Sequence, residues 1–202
     1  KAVLESIELV NGSLDIDGVE GNVKASSING RVTARGLSGE ARLSTVNGPL
    51  QATFTQLDET KPISLGSVNG SVMLIIPSNA NASIRAGTVH GGISSDFGLQ
   101  VKHGEYVGHS MDGQIGTGGP RIKLGNVNGG IKISRAQDGL PLSPAVSIQS
   151  DQKQMRDVNS TVEVDVAEAA EQVAAVAESV RVRVESQRIA RQTQREAQRQ
   201  VD

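Results

Sequence analysis

The chain has 202 residues, with 20 Lys and Arg against 22 Asp and Glu and a net charge of -2, so it lacks the basic surplus that nucleic acid or acidic lipid would select. Its only aromatic residues, Phe54, Phe97 and Tyr106, exclude a core built on large rings and leave a thin one of stacked Val, Ile, Leu and Ala. Cysteine is absent, which excludes disulfides and thiolate chemistry but suits the periplasm, the cell surface and the cytoplasm equally.

The chain enters a repeat at once. Leu14, Ile16, Val19, Val23, Ala25 and Ile28 are matched 18 residues later by Val32, Ala34, Leu37, Ala41, Leu43 and Val46, and Leu50 and Ala52 begin the next unit. Within a unit apolar and polar residues alternate, as in Ala41-Arg42-Leu43, and a period of two predicts strands with one buried face. Gly12, Gly21, Gly30, Gly39 and Gly48 fall nine residues apart, so each unit reads as two strands and two corners, with Asn and Gly where the chain turns at least steric cost.

The main corner recurs as Asn11-Gly12, Asn29-Gly30, Asn47-Gly48, Asn69-Gly70, His90-Gly91, Asp112-Gly113 and Asn128-Gly129, at spacings of 18, 18, 22, 21, 22 and 16. An aliphatic residue precedes each, Met111 serving at Asp112. A fixed unit with small insertions predicts an all-β solenoid over residues 1–135, a single-chain β-helix with about 18 residues per coil. The side chains of the corner column are expected to form a structural ladder of stacked amides. Asn-Gly is also the strongest hairpin signal, so an antiparallel meander folded into a sandwich is the alternative. At the start, Ile7 and Val10 match Ala25 and Ile28, while Glu5 stands where Val23 would be. The first coil is therefore expected to be open, with backbone groups that something must cover.

After Ile133 the pattern stops. Residues 136–157, with two prolines and many polar groups, read as a linker that lies over the solenoid or hangs free. Residues 158–202 carry Val162, Val166, Ala170, Val173, Ala177, Val180 and Val184 at helical spacing with no Gly or Pro, which predicts an amphipathic helical tail. Residues 157–180 hold six acids and no base, and residues 181–202 six Arg and three acids; that polarity suits the helix dipole and antiparallel pairing with a second copy. Val166, Ala170, Val173, Ala177, Val180 and Val184 are the expected assembly face.

Catalytic, metal and cofactor residues are expected to be none. His90, His103 and His109 have no recognised ligand spacing. Asp15 and Asp17 lack the further ligands of a calcium loop. Residues 116–120, GTGGP, lack the Lys-Ser/Thr of a phosphate loop and precede a strand. No Ser is placed with His and acid in a nucleophile elbow. The stripe Arg188, Arg191, Arg195 and Arg199 reads as the wet face of the tail.

The segments SVNGSVMLIIP (67–77), ASIRAGTVHGGIS (82–94) and GGPRIKLGNVNGGIKI (118–133) resemble a bacterial adhesin-type family, a domain of unknown function built from β-strand repeats. The resemblance implies an exported β-solenoid of the envelope, periplasmic, cell-surface or extracellular, with no established enzymatic activity. The expectation is a structural or adhesin-like rod, a homo-oligomer or filament assembled through its tail, with a surface glycan or protein as a further partner. No nucleic acid and no transmembrane segment are expected; a signal or anchor is expected to have been removed or to lie outside this sequence. The competing reading is a polysaccharide lyase or hydrolase, because parallel β-helices often act on acidic glycans along one face.

Overall fold

Alternation turns directly into strands: along 41–47 the side chains of Ala41, Leu43 and Thr45 are buried and Arg42 is exposed. The computed structural model describes residues 4–104 and 108–148, and over these the chain is all β. Four coils come first, each a strand of one sheet, an Asn-Gly corner and a strand of a second sheet. They are β1 (Leu4–Asn11) with β2 (Leu14–Asp17), β3 (Val23–Asn29) with β4 (Val32–Leu37), β5 (Ala41–Asn47) with β6 (Leu50–Phe54), and β7 (Ile63–Asn69) with β8 (Val72–Ile76). Then follow β9 (Ala82–His90), β10 (Ile93–Ser95), β11 (Val101–His103), β12 (His109–Ile115), β13 (Arg121–Asn128), β14 (Ile131–Arg135) and β15 (Ala145–Ser147).

The coils stack parallel and in register, Ala25 beside Leu43 and Leu43 beside Leu65, so like positions meet and a thin aliphatic core runs between the two sheets. Val32, Ala34, Leu50, Leu74, Ile122 and Ile133 lie in it, and among the described residues Phe54 and Phe97 are its only rings. The result is solenoid-like. Among the described residues antiparallel pairing is confined to one end, where β12 pairs with β9, β11 and β15.

The coils do not stack in chain order. The large sheet runs β1-β3-β5-β7-β13-β9-β12-β11, and the small one β10-β14-β8-β6-β4-β2. The last coil, β13 with β14, has slid between the β7 coil and the β9 coil: Leu124 stands between Leu65 and Ala86, and Gly125 between Gly66 and Gly87. Space for it arises because the chain after β10 does not start another coil. It turns into the β11–β12 hairpin, and β12 takes the outer edge of β9. The inner edge of β9 is left for β13.

This hairpin corrects one sequence expectation. Asp112-Gly113 is no corner; both lie within β12, opposite Arg85 and Ile84. Of the two courses open to the linker, residues 136–148 take the one over the solenoid. Ser143 N–H donates to the Ser78 carbonyl and Gly116 N–H to that of Pro144, and β15 adds a strand to β12. The open first coil also differs in register, since a bulge lets Leu4, not Glu5, pair with Val23. The expected tail, including Val166, Ala170, Val173, Ala177, Val180 and Val184, lies outside the described residues.

Candidate functional site

The corner is built from backbone first. Gly12, Gly30, Gly48, Gly70 and Gly129 have φ of 120, 151, 147, 155 and 147°, and each N–H donates to the carbonyl of the Asn or His beside it: Gly30 to Asn47, Gly70 to Asn128, Gly129 to His90. Above this run the side chains. Asn29 Nδ2 donates to Asn11 Oδ1 at 3.1 Å, Asn47 to Asn29 at 2.9 Å, Asn69 to Asn47 at 3.0 Å and Asn128 to Asn69 at 2.9 Å. An amide can give and accept at once, so it propagates such a chain. His90 stands beside Asn128 at the end of the row, with Gly91 at φ 154° completing its corner. Asp112 is elsewhere, ion-paired to Arg85 at 3.2 Å. Gly113 is extended and small for a different reason, because a Cβ there would strike the Leu99 side chain.

A second, inner row lies beneath the first and was not foreseen from the sequence. Two residues before Asn29, Asn47, Asn69, Asn128 and His90 stand Ser27, Thr45, Ser67, Asn126 and Thr88, all buried. Thr45 and Thr88 donate to the carbonyls of Gly30 and Gly129, and Asn126 Nδ2 donates to that of Gly70 at 2.7 Å. The small polar residue recurring two places ahead of Asn was the signal that could have revealed it.

Other candidates are dispersed. Asp15 and Asp17 lie on β2 in the small sheet, whereas Arg42 lies on β5 in the large one, bonded to Glu40 at 3.0 Å; they do not converge. His103 and His109 form a cross-strand pair with ring centroids 4.6 Å apart. Among the described residues no group of three or more His, Cys, Asp or Glu is placed to hold a metal. Residues 116–120 form a turn in which Thr117 N–H bonds Asn81 Oδ1. Among the described residues no helix is long and apolar enough to cross a membrane.

On the side away from the Asn corners a groove of about 950 Å³ is lined by Glu20, Thr55, Asp58, Asn79 and Asp138 among others. The carboxyl of Asp58 is held below its ordinary range chiefly by the Thr60 backbone N–H, and that of Asp138 chiefly by the Ser78 backbone N–H. Asp58 is thus engaged in a local turn, whereas Asp138 ties its segment to Ser78, 60 residues away. For Asp138 the folded state prefers the ionised form, so its contribution is present above the ordinary carboxylate value and is lost as pH falls through the depressed one. Comparing melts of the wild type and Asp138→Ala from neutral pH downward should show a gap that closes in acid; a gap constant with pH would contradict this role.

The family model described as Toastrack DUF4097 matches residues 5–134. The chain belongs to the Toastrack family. The matched residues cover all the coils and end at β14, so the family pattern and the stacked repeat coincide. No curated protein and no solved structure matches the chain. Toastrack is a domain of unknown function, and the match gives no support to an adhesin assignment for the repeat segments 67–77, 82–94 and 118–133.

Proposed function

We propose that this Toastrack protein is a non-catalytic structural and binding module of the bacterial envelope, an exported rod of coils of about 18 residues with a helical tail over 158–202 that mediates assembly. The reading is supported above all by the contrast between the rod's ends. Among the described residues β1 and β2 are each paired on one side only, leaving ladder groups that favour covering by another chain. The far end offers only short edges: β11 and β15, three residues each, line the outer side of β12, and β10, also three residues, ends the small sheet, while Phe97 and Leu99 are buried in the core. The long edge of β1, eight residues, favours a two-fold pair of copies through that end. A surface glycan or a second protein would then meet the flat outer faces.

Light scattering and negative-stain microscopy of the full chain, beside a version ending at Asp157, test this. The full chain is expected to form discrete oligomers that are lost or weakened without the tail. A strict monomer at all concentrations would overturn the assembly role.

A further inference from the structure

Among the described residues the large apolar side chains left exposed are Leu140, Leu142, Val146 and Ile148. All four lie on one strap, residues 140–148, which runs from beside Ser78 to the outer edge of β12. From Leu142 onward the strap alternates: Leu142, Pro144, Val146 and Ile148 are exposed, while Ser143, Ala145 and Ser147 are half-buried. This inverts the usual order, in which a strand over a core turns apolar residues in and polar ones out.

Backbone and the inward side hold the strap in place. Ser143 N–H donates to the Ser78 carbonyl, Gly116 N–H to that of Pro144 and Ile148 N–H to that of Asp112. Ser147 Oγ accepts from the Gln100 N–H at 2.8 Å, and Ala145 packs against the core. None of these contacts uses the side chains of Leu142, Pro144, Val146 or Ile148. The fold does not need them outside, and an apolar face of this kind marks a contact surface.

We propose that the strap seats the chain's own apolar stripe over residues 162–180, laid back antiparallel to it. The described chain stops at Ile148, the last residue of the strap, so the segment that follows starts at the strap's end. Residues 149–161 reach at most about 43 Å, ample for a reversal, and hold the stripe at high effective concentration over the strap. The dimensions match. Val162, Val166, Val173 and Val180, with Ala170 and Ala177 between, repeat at helical spacing. A helix rises about 27 Å from 162 to 180, and an extended strap covers about 27 Å from 140 to 148. Steps of four on the helix, about 6 Å, meet steps of two on the strap, about 6.7 Å. Val162 then stands at Ile148, Val166 at Val146 and Val180 at Leu140.

Charge sets the direction. At the Ile148 end Lys102 Nζ donates to the Ile148 carbonyl at 3.1 Å, and the Asp112 carboxylate there is already held by Arg85. Glu163 and Asp165, at the start of the stripe, arrive beside that ammonium. At the other end Leu140 itself lines the groove, together with Glu20, Asp58, Glu59 and Asp138 and, among the described residues, no Lys or Arg; Lys61 offsets Asp58. Residues 181–202, with six Arg and three acids, follow Val180 toward it. Reversed, the helix would bring carboxylates to the acidic groove and Arg to Lys102. The inference rests on the helical tail of the assembly reading and divides it, the half to Val180 seated on its own chain and the Arg half left for a partner.

The chain has no native cysteine, so disulfide trapping in the full protein is unambiguous. Val146→Cys with Val166→Cys and Leu140→Cys with Val180→Cys are matched across the antiparallel seat. Val146→Cys with Val180→Cys and Leu140→Cys with Val166→Cys are crossed, their Cα atoms about 20 Å apart where a disulfide needs roughly 7 Å or less. Intrachain disulfides are expected to form roughly tenfold faster in the matched pairs than in the crossed ones, and Leu142→Asp, at an exposed position, is expected to slow the matched pairs. Equal rates, as a loosely tethered tail would give, or faster crossed pairs would overturn the seat. Covalent dimers in place of intrachain bonds would overturn docking within one chain and assign the strap to a second copy. Assembly is read separately by light scattering of the reduced full chain: trapping without oligomers leaves the seat standing and removes the assembly role, and oligomers without trapping remove only the seat.

Discussion

Replacing Gly30 with valine is expected to cost at least about 1–3 kcal/mol, because the residue sits at φ +151° and a β-branched side chain in so sparsely populated a region is strained. The strain is only the first contribution. A Cβ at Gly30 would fall on the carbonyl oxygen of Gly12 in the neighbouring coil, well inside van der Waals contact. That oxygen is backbone and cannot rotate away, so the coils must part and the Gly12 to Asn29 bond must stretch with them. Gly48, Gly70 and Gly129 each face the backbone of an adjacent coil in the same way. Gly66 is the internal control. It lies in the same sheet with open space around it and no left-handed φ, so Gly66→Val should stay within about 0.5 kcal/mol of wild type. Chemical denaturation of the two variants decides the matter. A Gly30→Val midpoint equal to that of Gly66→Val would remove the corner from the elements that hold the rod together.

The contrast between these two glycines shows what a sequence can and cannot reveal here. Periodicity of two and of 18 exposes strands, corners and the inward residues, because both periods are local and every coil repeats them; counting along the chain is enough to put Ala25, Leu43 and Leu65 in one column. What periodicity lacks is neighbour order. Asn128 matches Asn69 as well as it matches Asn47, and nothing local says that the coil of β13 enters between β7 and β9. The decision is taken by the β11–β12 hairpin, where Met111-Asp112-Gly113 imitates a corner in spelling. There Met111 is fully buried and Asp112 is paired with Arg85, a cross-strand partnership that spacing alone does not display.

Truncating Leu124 to alanine tests that neighbour order directly. Leu124 is 2 % exposed and meets Leu65 on one side and Ala86 on the other, so the cavity would open in mid-rod, where backbone on both sides is locked in ladders and collapses poorly. The expected loss is about 2–5 kcal/mol, as for other buried Leu to Ala changes. Hydrogen exchange then reports where the loss is felt, since protection follows the free energy of local opening. If the last coil is inserted, amides of β7 and β9 lose protection together. Were the coils stacked in chain order, β7 would sit directly against β9 and the coil of β13 beyond it, and the amides of β7 would keep their wild-type protection while those near the far end exchanged faster. Asn126→Ala adds a second reading at the same coil: it strips the 2.7 Å bond to the Gly70 carbonyl, leaving a half-buried acceptor unpaired at about 1 kcal/mol. Because Gly70 belongs to the turn between β7 and β8, that variant should speed exchange at Val72 and in the β7 coil. Only a chain that threads its last coil between two earlier ones couples Asn126 to that place.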